Sequence, residues 1–307
     1  MPEDGALNRH TPRSTDLATP FDRDRLDLFL ACARFLADLV PFLLLDPPEI
    51  ASRRNLVPFY DAYFSNYIEG IEFTVDEADQ IVFDEVVPAD RPRDAHDIIG
   101  TYHLVADPIE MKRTPRTSDE FIELLRARHS AVMEDRPDAS PGHFKTRANR
   151  SGATTFVAPS LVEATLRAGF EAGAGLLDPF ARAMFLTLLV TEVHPFTDGN
   201  GRIARIMMNA ELVASGQVRI IVPTVARTDY FGSLKLATNS ARFEALANVL
   251  RFLQRYTAQV DFSSRPNAYR DLARTNAFVE PSIARENNIR LVLPASLDSP
   301  TRAQRPG

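Results

Sequence analysis

The segment from 194 to 205, HPFTDGNGRIAR, concentrates residue types that handle phosphate chemistry. The imidazole of His194 has an ordinary pKa near neutrality, so it can accept a proton at physiological pH. The carboxylate of Asp198 is the kind of hard oxygen ligand that Mg²⁺ prefers when phosphates complete its coordination shell. The segment therefore predicts a general base beside a cation ligand.

The same segment has the features of an anion-binding turn. Gly199 and Gly201 permit positive φ angles, so consecutive backbone N–H groups can converge on an anion. A helix that begins near this point adds the positive end of its dipole. Arg202 and Arg205 are three residues apart on that helix, so we expect both guanidiniums to reach one polyphosphate.

Two predicted helices flank the turn. Asp178 and Pro179 have the character of an N-cap and a first helical residue, ahead of the apolar run FARAMFLTLLVTEV. This helix should end near His194, because Pro195 disfavours the α conformation in the residue before it. The second helix is predicted from about Arg202 to Ser215 by its amphipathic pattern.

The segment resembles the signature of Fic-domain proteins, His-x-Phe-x-(Asp or Glu)-Gly-Asn-Gly-Arg-x-x-Arg. A chance match at every specified position in a chain of this length is improbable by several orders of magnitude. The resemblance implies a mainly α protein with the Fic fold, a helical core bundle with one β-hairpin flap. The matching residues are His194, Phe196, Asp198, Gly199, Asn200, Gly201, Arg202 and Arg205.

The resemblance also implies an enzyme, a protein adenylyltransferase. Such proteins transfer AMP from ATP to a Tyr, Ser or Thr hydroxyl of a target protein and release pyrophosphate. His194 would then deprotonate the target hydroxyl, and Asp198 would hold Mg²⁺ between the α- and β-phosphates. Positioning and charge neutralisation are what in-line phosphoryl chemistry needs most.

The phosphate contacts are implied in the same way. Asn200 and the amides of the turn, from Gly199 to Gly201, would bind the α-phosphate. Arg202 would bind the β-phosphate and Arg205 the γ-phosphate. One branch of the family phosphorylates its target and carries a lysine in place of the second glycine, so Gly201 favours AMP transfer.

A second motif, SNYIEG at 65–70, precedes the signature. Ser65 and Glu69 share one face if this stretch is helical, and Gly70 then fits a C-terminal cap. The motif resembles the Fic inhibitory motif, (Ser or Thr)-x-x-x-Glu-(Gly or Asn), whose glutamate pairs with the second arginine of the signature, here Arg205. That carboxylate would compete with the γ-phosphate and autoinhibit the enzyme. A solvated Glu69 without this role is the alternative.

Residues 141–160, PGHFKTRANRSGATTFVAPS, predict a β-hairpin around Ser151 and Gly152. Fic proteins carry a flap here that binds the target peptide by adding a strand. The TRANR segment is more polar than the first strand of the family's flap, so the register in which a target strand would pair with it is left open. A hairpin with no binding role is the alternative. We expect His143 to be an exposed flap residue rather than a second base.

Tyr230 lies in a predicted helix after the signature, where family members carry a tyrosine that walls the adenine pocket. A plain core position is nearly as good an explanation of Tyr230. The family's Asn and Gly-Asp further along are matched only loosely by Asn239, and the Gly-Asp is missing.

Composition and charge narrow the classes of function that the chain can have. A net charge of −6 and a pI near 5.6 argue against a nucleic-acid-binding surface. The single cysteine, Cys32, is expected in the core, and its solitary state fits a reducing, cytoplasmic location. The apolar run 28–45 contains Arg34, Asp38 and Pro41, which argue against a membrane span. ATP and an unknown target protein are the expected partners, and a homodimer is possible by analogy with the family.

The expected organisation has four parts: a disordered tail (1–20), an N-terminal helical region with the inhibitory motif (21–100), a Fic catalytic core (101–260) and a C-terminal extension (261–307). The extension is expected to be loose, with a short strand at 289–294. Two other functions use the same site. One is removal of AMP from a modified protein, and the other is a catalytically silent nucleotide-binding module, against which the intact His194 argues.

Overall fold

The computed structural model describes residues 20–47, 51–152 and 154–295, which form a mainly helical fold. Within these residues the strands are β1 (Arg150–Ser151) and β2 (Thr154–Thr155), an antiparallel hairpin. The helices are α1 (Arg23–Ala37), α2 (Ala51–Tyr67), α3 (Val75–Phe83), α4 (Pro92–Ala106), α5 (Ser118–Val132), α6 (Val162–Ala172), α7 (Pro179–Val193), α8 (Asn200–Ala214), α9 (Arg227–Ser240), α10 (Phe243–Gln259), α11 (Arg265–Arg274) and α12 (Pro281–Glu286). The predicted mainly α class is confirmed.

The helix pair α7 and α8 forms the centre of the fold. Asp178 caps α7 by accepting a hydrogen bond from the N–H of Ala181 at 2.8 Å, and Pro179 is its first residue. Most side chains of α7 are buried, and the helix ends at Val193 as predicted. The second helix begins at Asn200, two residues earlier than expected, because Gly199 takes the positive φ and ends the connecting loop.

Two clusters of buried apolar side chains hold the helices together. The larger surrounds α7 and α8 and receives side chains from α1, α5, α6 and α10, including the fully buried Cys32. The second is rich in aromatic rings and joins α2 to α3, α4 and the C-terminal helices. Helix α2, which carries the second motif, therefore packs against α4 on one side and reaches α8 on the other.

The expectation of a loose extension after residue 260 was wrong for the residues described. Ser264 caps α11, and the hydroxyls of Tyr256 and Thr275 lie 2.6 Å apart in a buried hydrogen bond. The ring of Phe278 stacks on Phe64 of α2 with centroids 5.5 Å apart. Aromatic burial of this kind orders a segment whose prolines and arginines suggest a tail.

The strand expected at 289–294 is also absent from the described fold. The N–H of Val292 donates to the carbonyl of Thr275 at 3.3 Å, but a helix end offers no ladder of partners for a strand. The predicted tail at 1–20 lies, up to residue 19, outside the described residues. No described helix has the length and apolar character to cross a membrane, and α1 ends well before Pro41.

Close packing of α4 on α5 depends on Gly100. A Cβ there would lie 2.9 Å from the backbone oxygen of Ala131, which cannot move independently of α5. We therefore predict that Gly100→Ala lowers the free energy of unfolding by about 1–3 kcal/mol, measured by urea denaturation. Gly232→Ala is the matched control, since Gly232 is also helical and has nothing within 4 Å of its added Cβ.

In the control, the methyl group should raise the free energy of unfolding by about 0.5–1 kcal/mol through helix propensity. Equal changes in the two variants would show that contact with α5 has no part in the effect.

Candidate active site

His194 is the C-cap of α7 and takes a left-handed conformation with φ of 50°. Its Nδ1 lies 3.4 Å from the carbonyl oxygen of Thr191. The ring of Phe156, directly after β2, stacks flat on the imidazole with centroids 3.8 Å apart and planes within 5°. The hairpin is therefore held directly over the predicted base.

Burial, together with the nearby amine of Lys145, lowers the pKa of His194 to about 4. Lys145 is itself buried, which lowers its pKa to about 8. Its Nζ donates to Asn149 Oδ1 at 2.6 Å and to the carbonyl of Val193 at 3.4 Å. The imidazole is thus neutral at physiological pH and able to accept a proton. Sequence reasoning missed Lys145, whose only signal was a lysine next to Phe144 within the segment 141–160.

The loop after His194 is pinned by a second histidine that sequence reasoning also missed. The imidazole of His129 on α5 stacks on Phe196 with centroids 3.7 Å apart, and both side chains are fully buried. The N–H of Gly142 donates to Nδ1 of His129 at 2.9 Å, so Nε2 carries the proton. Nε2 donates to the carbonyl of Asp198 at 3.1 Å. Burial also lowers the pKa of His129 to about 4.

The side chain of Asn200 also holds this loop, through hydrogen bonds to the loop backbone. Its Oδ1 accepts from the N–H of Phe196 at 2.8 Å, and its Nδ2 donates to the carbonyl of Phe196 at 2.9 Å. Both polar ends of the side chain are occupied, so the anion contact implied for Asn200 is available from its backbone N–H instead. The first N–H groups of α8 have no partner within the helix and point toward the loop.

The two glycines of the turn have different physical roles. Gly199 has a φ of 76° and supplies the left-handed turn, as predicted. The same expectation for Gly201 was wrong, because Gly201 lies inside the first turn of α8. A Cβ on Gly201 would lie 2.0 Å from Glu69 Oε1. Glycine at this position therefore leaves room for the Glu69 carboxylate, which a larger residue would displace.

Arg205 is buried, with 2 % of its surface exposed, and is held by the second motif. Its Nη2 donates to Glu69 Oε1 at 2.8 Å and to the carbonyl of Ser65 at 2.8 Å, and its Nε donates to Ser65 Oγ at 2.9 Å. The structure thus brings together the pair that the motif resemblance implies. Arg205 Nη1 is buried and has no hydrogen-bond acceptor among the residues that the structure describes.

The turn after α2 places Glu69. The helix ends at Tyr67, two residues earlier than a helix through Glu69 requires. The N–H of Gly70 donates to the carbonyl of Tyr67 at 3.0 Å, and the N–H of Ile71 donates to that of Asn66 at 3.2 Å. These two bonds, with a φ of 97° at Gly70, form a Schellman cap. Gly70 therefore fixes the direction from which Glu69 reaches Arg205.

Arg202 is also buried and forms an ion pair that sequence reasoning did not anticipate. Its Nη1 donates to Asp97 Oδ2 at 2.6 Å and to Asn66 Oδ1 at 3.3 Å. Its Nη2 lies 3.6 Å from Asp198 Oδ2. Asp97 belongs to α4, 105 residues before Arg202, and no motif in the surrounding sequence marks it.

Asp198 is the most accessible charged group of the loop, with 58 % of its side chain exposed. Its Oδ1 accepts from the N–H of Gly199 at 2.6 Å. Across the described residues, no group of three or more histidine, cysteine or acidic side chains could hold a metal ion. A lone exposed carboxylate fits a hard cation whose other ligands come from phosphates and water.

A cavity of about 360 Å³ is lined by residues that include Glu69, His194, Gly201, Arg205 and Tyr230, while Asp198 and Arg202 lie outside its lining. Tyr230 is buried and also lines the cavity, so the two roles weighed for it are compatible. His143 is exposed and lies outside the cavity lining, as predicted.

A further residue ties the hairpin to α7. Arg25 of α1 pairs with Glu192 Oε2 at 2.9 Å, and its Nη2 donates to the carbonyl of Thr155 in β2 at 3.1 Å. Glu192 is buried two residues before His194, so this bridge sets the distance between hairpin and base. The sequence offered no signal for it, since Arg25 lies far from both partners.

Residues 119–212 match the Fic/DOC family in a comparison with family profiles. This region of the chain is similar to a Fic domain. The chain is 28 % identical over 160 residues to the protein adenylyltransferase fic-1 of Caenorhabditis elegans, covering 50 % of this chain and 31 % of that protein. It is 27 % identical over 207 residues to the protein adenylyltransferase Fic of Nematostella vectensis, covering 65 % of this chain and 47 % of that protein. The chain thus spans less than half of each relative.

Solved structures confirm the predicted Fic fold. The Fic-1 fragment 134–508 from C. elegans superimposes with a TM-score of 0.57 at 20 % identity, over 77 % of this chain and 70 % of that one. A Fic domain-containing signaling protein from Bacteroides thetaiotaomicron also superimposes with a TM-score of 0.57 at 19 % identity, over 80 % of this chain and 97 % of that one.

The two buried histidines of the Fic domain should make its stability depend on pH. An unfolded histidine titrates near pH 6.5, whereas His129 and His194 have pKa values of about 4 when folded. Below about pH 6.5 the unfolded state binds more protons, so the free energy of unfolding is highest above that pH. It should fall toward pH 4 by at most about 1.4 kcal/mol per pH unit for each histidine.

Urea unfolding at neutral pH and at about pH 5 measures this loss. His194→Ala should reduce the loss, while His143→Ala, at an exposed position, should leave it unchanged. Identical losses in both variants would contradict the assignment.

Proposed function

We propose that this chain is a protein adenylyltransferase that transfers AMP from ATP to a Tyr, Ser or Thr hydroxyl of a target protein. One observation carries the proposal: a single cavity is lined by the neutral base His194 and the buried guanidinium of Arg205, beside the N-terminus of α8. The names of the relatives from C. elegans and N. vectensis support the same activity. Pyrophosphate is the second product.

In this proposal His194 accepts the proton of the target hydroxyl as it attacks the α-phosphorus. The backbone N–H groups from Asn200 to Arg202 bind the α-phosphate, since they are the unpaired donors of the first turn of α8. The guanidinium of Arg202 binds the β-phosphate and that of Arg205 binds the γ-phosphate. Tyr230 forms part of the wall against the nucleoside.

Asp198 would hold Mg²⁺, which neutralises charge on the phosphates when it is bound. The exposed position of this carboxylate and the lack of a larger ligand cluster in the described residues are consistent with a metal that arrives with the nucleotide.

Glu69 restrains the reaction in this proposal. Its carboxylate occupies the guanidinium that the γ-phosphate needs, because Arg205 Nη2 cannot donate fully to both. When the γ-phosphate does not contact Arg205, the α-phosphate is not in line with the base. ATP then binds unproductively.

The hairpin within 141–160 is the proposed docking site for the target protein. An extended target segment would pair with an edge of this hairpin, as strands commonly do in peptide recognition. Phe156 stacks on His194, so a segment bound there would present its hydroxyl beside the base.

We predict that Glu69→Gly increases incorporation of label from ATP labelled on the α-phosphate by about tenfold to a hundredfold, the equivalent of one charge-assisted hydrogen bond. Incorporation is measured into the chain itself and into proteins of a cell lysate, with Mg²⁺ present. Glu72→Gly is the matched control, because Glu72 is an exposed glutamate three residues further on. It should leave incorporation unchanged.

His194→Ala in the Glu69→Gly background should abolish incorporation. Unchanged labelling in Glu69→Gly would contradict the inhibitory role. Transfer of the γ-label without the α-label would identify a phosphotransferase and refute the argument from Gly201. Tight nucleotide binding without transfer would indicate a silent binding module.

The reverse reaction, removal of AMP, is the second candidate. The Glu69 carboxylate lines the same cavity as His194 and could orient an attacking water there. Protein labelled by Glu69→Gly is the substrate for its test. Release of labelled AMP by the unaltered chain, and not by its Glu69→Gly variant, would establish this activity.

A further inference from the structure

Asp97 is a buried charged residue that belongs to neither of the two sequence motifs. It lies on α4 and is 1 % exposed. Its Oδ2 accepts from Arg202 Nη1 at 2.6 Å and from Arg136 Nε at 2.8 Å. Arg136 Nη2 also donates to Asp94 Oδ1 at 2.7 Å, and Arg91 Nε donates to Asp94 Oδ2 at 3.0 Å, so the cluster contains two carboxylates and three guanidiniums.

The cluster leaves part of the Arg202 guanidinium unused. Its Nε is buried and has no acceptor within the described part of the chain, and Nη2 lies 3.6 Å from the exposed carboxylate of Asp198. Nη1, in contrast, is committed to Asp97 at the side of the guanidinium that faces α4. A planar guanidinium held at one nitrogen by a buried carboxylate has little freedom to rotate. Its remaining donors therefore keep one direction.

We propose that Asp97 is a positioning residue that aims the guanidinium of Arg202 at the β-phosphate of the nucleotide. This inference rests on the proposed function, since it concerns the same nucleotide site. Asp97, which is held in helix α4, binds Nη1 of the guanidinium. Nε and Nη2 then remain for the phosphate. Without Asp97, the guanidinium turns toward Asp198, the other carboxylate within 4.0 Å among the described residues.

The role differs from that of Glu69, although both carboxylates pair with arginines of α8. The Glu69 side chain is 29 % exposed and lies in a turn at a helix end, where it can leave Arg205. Asp97 is buried in mid-helix, and Arg136 holds it from behind. Removal of a competitor would strengthen nucleotide binding, and removal of a positioning group would weaken it. The sign of the change therefore separates the two roles.

The structure provides a matched control for the test. Asp94 and Asp97 each form one ion pair with Arg136, but only the Asp97 carboxylate is in contact with Arg202 among the described contacts. Asp97→Asn and Asp94→Asn remove one charge each from the same cluster. Both are made in the Glu69→Gly background, and binding of ADP and of AMP is measured by isothermal titration calorimetry.

Asp97→Asn should weaken ADP binding by about tenfold, while AMP binding, which involves no β-phosphate, should stay within about twofold. Asp94→Asn should leave both affinities within about twofold. With Arg202→Gln added, Asp97→Asn should cause no further loss of ADP affinity, because the group that it positions is gone.

Stronger ADP binding in Asp97→Asn would overturn the proposal in favour of a competing carboxylate. Equal effects of Asp97→Asn and Asp94→Asn, or equal losses for ADP and AMP, would reduce Asp97 to a structural role. If Asp97→Asn does not fold, Asp97→Glu keeps the charge but displaces the carboxylate, and it should weaken ADP binding while sparing AMP. A Glu69→Gly parent that binds neither nucleotide would refute the proposed function itself, and this inference with it.

Discussion

A buried guanidinium must have its charge balanced, and the site is organised around that requirement at Arg205. Removing the partner of a buried charge costs about 3–5 kcal/mol, so an unpaired Arg205 would be a serious defect in the core. In the present structure Glu69 and Ser65 balance it from the end of α2. A γ-phosphate could do the same from the cavity. The proposed control at this arginine depends on its need for one anionic partner, for which Glu69 and a γ-phosphate would compete.

The neighbouring arginine shows how burial decides whether a partner can be exchanged. Arg202 and Arg205 lie one turn apart on α8, and each has a carboxylate partner below 3 Å. Asp97 comes from the middle of a packed helix, whereas Glu69 lies within the Schellman cap at the end of α2 and is partly exposed. A side chain at a helix end can move with little loss of packing. The fold thus gives one arginine a permanent partner and the other a replaceable one.

The base and the turn are kept in place by groups outside the signature. His129 stacks on Phe196 and donates to the carbonyl of Asp198, while Asn200 holds Phe196 by its backbone. Arg25 joins the hairpin to α7, and Phe156 covers His194. The contacts of His129 and Asn200 with Phe196 are buried, so they lose little to competition from water. They restrict the loop to a single arrangement that suits an anion at the start of α8.

The sequence by itself determined the local features of this protein: the α7 cap at Asp178, the end of α7 before Pro195, the turn at Gly199, the hairpin near Gly152 and the two motifs. Each depends on residues within a few positions of one another, where backbone sterics and capping chemistry act. Tertiary structure alone decided that Asp97 meets Arg202, that His129 supports the loop, that Gly201 makes room for Glu69 and that the segment after residue 260 packs against α2. Those contacts join residues tens to more than a hundred positions apart, and only the packing of whole helices brings them within bonding distance.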